Sequence, residues 1–142
     1  MGLAIAWDTQ AISLIDFHAN HNLIQATFHI IRTNIHGHLT NVYFPHDAMN
    51  KLILLNTIAS INSTRAHPLW IVGGDFNMIT KLEEKSGGRV RLDMESSHFK
   101  DFIQNNWLIN LPFNNGIYTS NNKRSGSQQI GSRLDSFLLS YN

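Results

Sequence analysis

The sequence predicts a layered α+β domain with helices lying outside a sheet. Three observations predict it. The first third is a succession of short β-prone runs broken by turn residues. After Pro45 the apolar spacing lengthens from that of a strand to that of a helix. A short unbroken apolar run, a second helical stretch and a closing apolar run then follow in order.

Taken in order, Leu3 to Trp7, Ile12 to Phe17, Leu23 to Ile31 and His38 to Phe44 read as strands. Asp8-Thr9, Asn20-His21-Asn22 and Asn34 to Gly37 supply turn chemistry between them. Short links predict antiparallel pairing. Asp47 is placed to cap a helix whose apolar positions Met49, Leu52, Ile53, Leu55, Ile58 and Ala59 recur at helical spacing. Leu69 to Val72 reads as a strand buried on both faces and stopped by Gly73-Gly74. Thr80 to Leu92 reads as a loop. Ser96 or Ser97 is expected to cap a second helix with Phe99, Phe102, Ile103 and Trp107 facing inward. Leu108 to Pro112 leads into a loop, Ile117 to Thr119 into a short strand, and Asn121 to Ser132 into an exposed segment. Leu134 to Leu139 closes the chain as a strand.

The 142 residues suit one domain. Charged residues make up 15% of the chain, against about 25% in a typical protein, and much of the polarity comes from 16 asparagines. A net charge of +1 gives no electrostatic signature of nucleic-acid binding. With no cysteine, disulfides and thiolate metal sites are excluded. No run approaches the ~18 apolar residues that suggest a membrane-spanning helix. The chain opens inside what reads as a strand, which suggests a partial domain.

Three stretches could carry chemistry. In Gly73-Gly74-Asp75-Phe76-Asn77 a buried strand ends, glycines permit an unusual backbone path, and a carboxylate and an amide two residues apart share a side. Asp supplies a base or hard-metal ligand, and Asn a neutral donor for a phosphate oxygen. A capped turn that only satisfies its own backbone explains the same residues. In Asn41-Val42-Tyr43-Phe44-Pro45, alternation sets Asn41 and Tyr43 against Val42 and Phe44. The tyrosine reads either as a donor to an anion or as a half-buried aromatic with a wet hydroxyl. In the run from Ser132 to Ser140, Arg133 and Asp135 share a face, as a site pair or as a local ion pair of little consequence. His18 with His21, or His36 with His38, lack the carboxylate neighbours a zinc site usually recruits.

The joint order of an NVYxP strand, an apolar strand into GGDFN and an RLDxFLLS strand resembles the endonuclease/exonuclease/phosphatase superfamily. The closest resemblance is to the apurinic-type endonuclease domain of plant LINE-like (non-LTR) retroelements. Glu83-Glu84-Lys85-Ser86-Gly87-Gly88-Arg89 is similar to the EK-x-GG loop of those elements. Leu111-Pro112 with Ile117-Tyr118-Thr119, and Gly2 to Trp7, match further stretches, so the resemblance spans essentially the whole chain. Ser120 stands where relatives usually have Trp.

The resemblance implies a four-layer αββα sandwich of the DNase I-like type, represented here incompletely. It implies magnesium- or manganese-dependent hydrolysis of phosphodiesters, with DNA as substrate. By position, Asp75 would activate or orient the attacking water and is the one residue placed to touch the metal. Asn77 would hold the scissile phosphate, Tyr43 would contact it, and Asp135 would orient a histidine. Asn41, Arg133 and Thr119 would support them. The metal-binding Glu and an Asn of the family are expected before Met1, and the Ser-Asp-His segment after Asn142. The expected outcome is a domain with little or no catalysis by itself, whose open sheet edges invite the missing segments or another chain. A retroelement remnant without catalysis is the alternative, and a phosphatase of the same superfamily a more distant one. Nuclear localisation would follow only from a retained retroelement role.

Overall fold

The computed structural model describes residues 2–78, 85–86, 94–111, 120–121, 131–132 and 135–140. The strand-rich first third forms β1 (Ile12–Ala19), β2 (Leu23–Ile30) and β3 (Ile35–Tyr43), paired antiparallel in sequence. Asn20 builds the first hairpin turn, its Oδ1 accepting from the amides of Asn22 and Leu23 at 2.8 and 2.9 Å. Asn34 closes the second with φ 56°, a left-handed conformation that asparagine tolerates. Helix α1 (Ala48–Thr64) then carries the chain back so that β4 (Leu69–Asp75) runs parallel to β3. After β5 (Lys85–Ser86) come α2 (Met94–Asn105), β6 (Ile109–Asn110), β7 (Ser120–Asn121), β8 (Gly131–Ser132) and β9 (Asp135–Ser140). Strand β9 pairs antiparallel with both β4 and β6, giving a six-stranded sheet in the order β1-β2-β3-β4-β9-β6. Strands β5, β8 and β7 form a separate three-stranded sheet.

Register assigns the faces. Leu23, Val42, Trp70, Val72 and Leu138 lie on one side of the large sheet. There they pack with Leu54, Leu55 and Ile58 of α1 and with Phe99 and Phe102 of α2 to make the core. The Trp70 indole donates to Thr40 Oγ1 at 3.0 Å, so this buried polar pair is satisfied. The opposite face carries Leu14, Ala26, Phe28, Leu39, Ile71 and Phe137. A β-bulge between Leu14 and Asp16 of β1 lets Leu14 and Phe17 both face that side. Among the described residues the helices thus cover one face of the six-stranded sheet, as expected of an incomplete αββα sandwich.

Several expectations are corrected. Leu3 to Trp7 joins neither sheet. It lies against the open face, where Ile5 and Trp7 help line an apolar cleft of about 260 Å³ with Leu14, Phe28, Leu39 and Ile71. Strand β4 runs through Gly73 and Gly74 to Asp75 rather than stopping before them. Its buried residues are Trp70 and Val72 on the helix side and Gly73 on the other, while Leu69 and Ile71 are only partly buried. In α1 the cap is as expected, with Asp47 accepting from the Asn50 amide at 2.9 Å. The buried side, however, is Lys51, Leu54, Leu55 and Ile58, while Met49 and Ile53 are exposed. Apolar residues surround this helix, so spacing alone does not choose the face. Helix α2 starts before the serines, and Ser96 is buried within it. Trp107 lies past the helix end, exposed and with φ 56°. Ile109–Asn110, within the stretch expected to lead into a loop, forms a strand. Lys85–Ser86, Ser120–Asn121 and Gly131–Ser132 are strand-paired inside or beside segments read as loops. Arg133, Thr119, Pro112 and most of the Glu83 to Arg89 stretch lie outside the described residues.

Candidate active site

Three strands bring the expected residues together at one end of the sheet. Asp75 is the register partner of Tyr43 on β3 and of Asp135 on β9, so all three stand side by side on the face away from the helices. This end is where the parallel pair β3 and β4 finishes, so the residues beyond it fall in loops held by a rigid scaffold.

The glycines have separate reasons. A Cβ on Gly73 would sit 2.6 Å from the Phe137 ring laid over it. Gly74 has φ 135°, and a Cβ there would lie 2.0 Å from the Val42 carbonyl oxygen. Only a glycine allows the main chains to approach so closely. Phe76 then turns into the core, its ring stacked between Phe44 at 5.1 Å and Phe99 at 4.8 Å. Burying Phe76 and Met78 leaves Asp75 and Asn77 on the outer side of the loop.

Asn77 is the most constrained residue of the site. Its φ is 50°. Its backbone amide donates to Asp75 Oδ1 at 2.9 Å, and its side-chain Nδ2 donates to the Phe44 carbonyl at 2.7 Å. The self-satisfying turn considered from sequence is therefore present. Yet each group keeps unused capacity: among the described residues Asp75 Oδ2, Asn77 Oδ1 and the Tyr43 hydroxyl carry no hydrogen bond. Nδ2 has a second hydrogen to donate. Asn41 is engaged differently, its Nδ2 donating at 3.0 Å to the Ala4 carbonyl, which ties the N-terminal segment across the sheet.

The electrostatics are those of two acids held together. Desolvation, and then the Asp75 carboxylate, hold the Asp135 carboxyl above the usual carboxylate range. A cation would relieve that repulsion. Among the described residues no group of three or more His, Asp or Glu is arranged to hold a metal. The donors still fit magnesium, which takes one or two carboxylates and fills its other positions with water and substrate oxygens.

Two residues that spacing did not single out complete the surroundings. Lys51 Nζ donates to the Asn77 carbonyl at 2.9 Å and to Glu95 Oε2 at 2.5 Å. The available signal was a lysine at i−3 and i−4 from the apolar pair Leu54 and Leu55, on what proves to be the buried side of α1.

No known sequence family and no curated protein matches the chain. Solved structures do. The endonuclease domain of TRAS1, a telomere-specific non-LTR retrotransposon, superposes with a TM-score of 0.66 at 17% identity, over 92% of this chain and 54% of that one. An endonuclease/exonuclease/phosphatase family protein from Bacteroides thetaiotaomicron gives 0.64 at 12% identity, over 94% and 53%. A D. rerio TDP2 complexed with a single-strand DNA product gives 0.57 at 11%, over 93% and 54%. The protein thus has an incomplete DNase I-like α+β fold, the fold of endonuclease/exonuclease/phosphatase proteins. It spans about half the length of these solved structures.

Proposed function

We propose that the chain carries part of a metal-dependent phosphodiesterase site acting on DNA, of the LINE-like retroelement endonuclease type, with magnesium or manganese as its ion. The observation that carries the proposal is the alignment of Tyr43, Asp75 and Asp135 on three adjacent strands, with Asn77 anchored beside them. The plant retroelement motifs and the fold of the TRAS1 endonuclease domain support the same reading.

In this reading Asp75 Oδ2 accepts a proton from the attacking water or orients it. Asn77 donates its second Nδ2 hydrogen to a phosphate oxygen. Tyr43 donates to the same phosphoryl group as negative charge builds there. Asp135 orients a proton-transferring group, with Arg133 and Thr119 as supporting residues by sequence position. A bound ion would supply electrophilic stabilisation of phosphoryl charge, and Asp75 would help hold it. The site is only part of a domain, so cleavage by this chain alone is expected to be weak or absent. The open sheet face and the edge strand β1 are where complementary β-structure, from the same fold or another chain, would join.

Nicking of supercoiled plasmid by the purified chain, with magnesium or with EDTA, tests this beside Asp75→Ala. Magnesium-dependent nicking that Asp75→Ala abolishes supports the endonuclease. Folded wild-type protein that nicks no better than the variant leaves the retroelement-remnant reading in its place. Turnover of a phosphate monoester but not of plasmid would favour a phosphatase.

A further inference from the structure

We propose that Lys51 and Glu95 are positioning residues for the Asp75–Asn77 loop, an ion pair in the helix layer that sets the backbone on which the candidate site is carried. The proposal rests on the functional reading above for its importance, though not for its geometry. Lysine and glutamate seldom enter an interior, and here the lysine side chain is 8% exposed and the glutamate 28%. Replacing a buried ion pair with well-packed apolar residues is often neutral or stabilising, so core stability does not account for this one. The third contact does: Lys51 also donates to the Asn77 carbonyl.

Asn77 needs that donor. Left-handed φ at a residue other than glycine persists where surrounding contacts over-determine it. Two of its restraints, the bonds to Asp75 Oδ1 and to the Phe44 carbonyl, come from the strand ends themselves. The third, from Lys51, comes from the helices, and Glu95 in the first turn of α2 holds the lysine head in place. Phe76 of the loop stacks on Phe99 of the same helix, so α2 holds the loop's apolar residue directly and its polar residue through Lys51. With the donor gone, Asn77 can return to a right-handed conformation, which takes its amide off the Phe44 carbonyl and away from Asp75.

The test follows the Asn77 side-chain amide by NMR in ¹⁵N-labelled chain. K51M/E95M removes both charges together, so neither is stranded. Amide hydrogen exchange at Asn77 Nδ2 is expected to accelerate about tenfold or more, the loss of one charge-assisted bond. Its backbone shifts are expected to leave left-handed values. E95Q, which keeps the Lys51 donor but loosens its anchor, gives a smaller change of the same sign and serves if the double variant does not fold. L55A, destabilised through the core, leaves the Asn77 signals where they are. An unchanged Asn77 in a folded K51M/E95M or E95Q protein overturns the proposal, as does an equal change in L55A. Manganese broadening of the Asp75 and Asn77 signals in the wild type decides the metal-site reading separately. Its absence would remove that reading while the exchange rates still decide the role of Lys51.

Discussion

The two ends of the large sheet each gather titratable side chains, and they resolve them in opposite ways. At the end where β3 begins, on the helix-side face, His29, His36, His67 and His38 stack as a ladder, with ring centroids 4.3, 5.0 and 5.3 Å apart. His38 Nε2 accepts from the His67 backbone amide at 3.2 Å, which leaves its proton on Nδ1 for Thr27 Oγ1. His29 bonds to Asn34. Desolvation first, and then the neighbouring charged forms, lower the pKa of His36 and His38, so these two rings favour the neutral form and the cluster's hydrogen bonds are met from within. At the other end, on the opposite face, two carboxylates face each other and polar atoms of Asp75, Asn77 and Tyr43 stay unused among the described residues. A cluster that settles its own charges is architecture. One that keeps repulsion and spare donors has capacity left for a ligand.

The largest expected effect comes at the carboxylate end. Gly74→Ala puts a methyl group against β3 backbone at a left-handed φ, and neither strand can give way. Strain and overpacking together should cost about 3 kcal/mol or more and in the limit prevent folding. Gly73→Ala meets only the ring of Phe137, which is half exposed and can swing aside, so about 1 kcal/mol is expected. Urea melts of the two variants compare them directly. Equal losses would mean that the two glycines answer to one cause.

At the imidazole end, His38→Leu leaves the His67 amide and the Thr27 hydroxyl without their partner and should cost about 1–3 kcal/mol. The pH dependence has a definite sign. The folded-state pKa of His38 lies below its ordinary 6.5, through desolvation, His67 and Arg65. The unfolded chain therefore takes up the proton first. The contribution of His38 is complete above pH 6.5 and is lost as pH falls from there through the lowered value. His36 adds a change of the same sign. Melting temperatures between pH 8 and pH 5 should fall more steeply in the wild type than in His38→Leu. Parallel curves would show that the ladder does not resist protonation.

Sequence showed most where signals are local. The antiparallel first three strands follow from runs bounded by Asn20 and Asn34, the α1 cap from Asp47, and the meeting of Tyr43, Asp75 and Asp135 from their strand-end positions. What stayed hidden depends on partners distant in the chain. Leu3 to Trp7 has the alternation of a strand but pairs with no strand among the described residues. The inner face of α1 is the one that packs Leu54, Leu55 and Ile58 against the sheet and α2, and on that face Lys51 meets Glu95 and the Asn77 carbonyl. Trp107 has the spacing of a core residue and fails because α2 ends before it. The same dependence hid Lys51 and Glu95, whose meaning exists only once β4 and the two helices have packed.

The smallest effect is also the one that most sharpens the contrast between the ends. Asp135 has its folded-state pKa raised above 3.8 by desolvation and by Asp75. Its contribution to stability is therefore present below that value and is lost as pH rises through the raised one. At neutral pH, Asp135→Asn should stabilise the chain, by no more than about 0.5 kcal/mol because the residue is solvent-exposed and screened. Magnesium should raise the melting temperature of the wild type in proportion to its occupancy. It should raise that of Asp135→Asn less, since part of what the ion relieves has already been removed. A destabilised Asp135→Asn would show that the carboxylate is held by favourable contacts rather than opposed by Asp75. The two ends of the sheet would then be alike, each a finished piece of structure, and the case for a reactive site would rest on Asp75 and Asn77 alone.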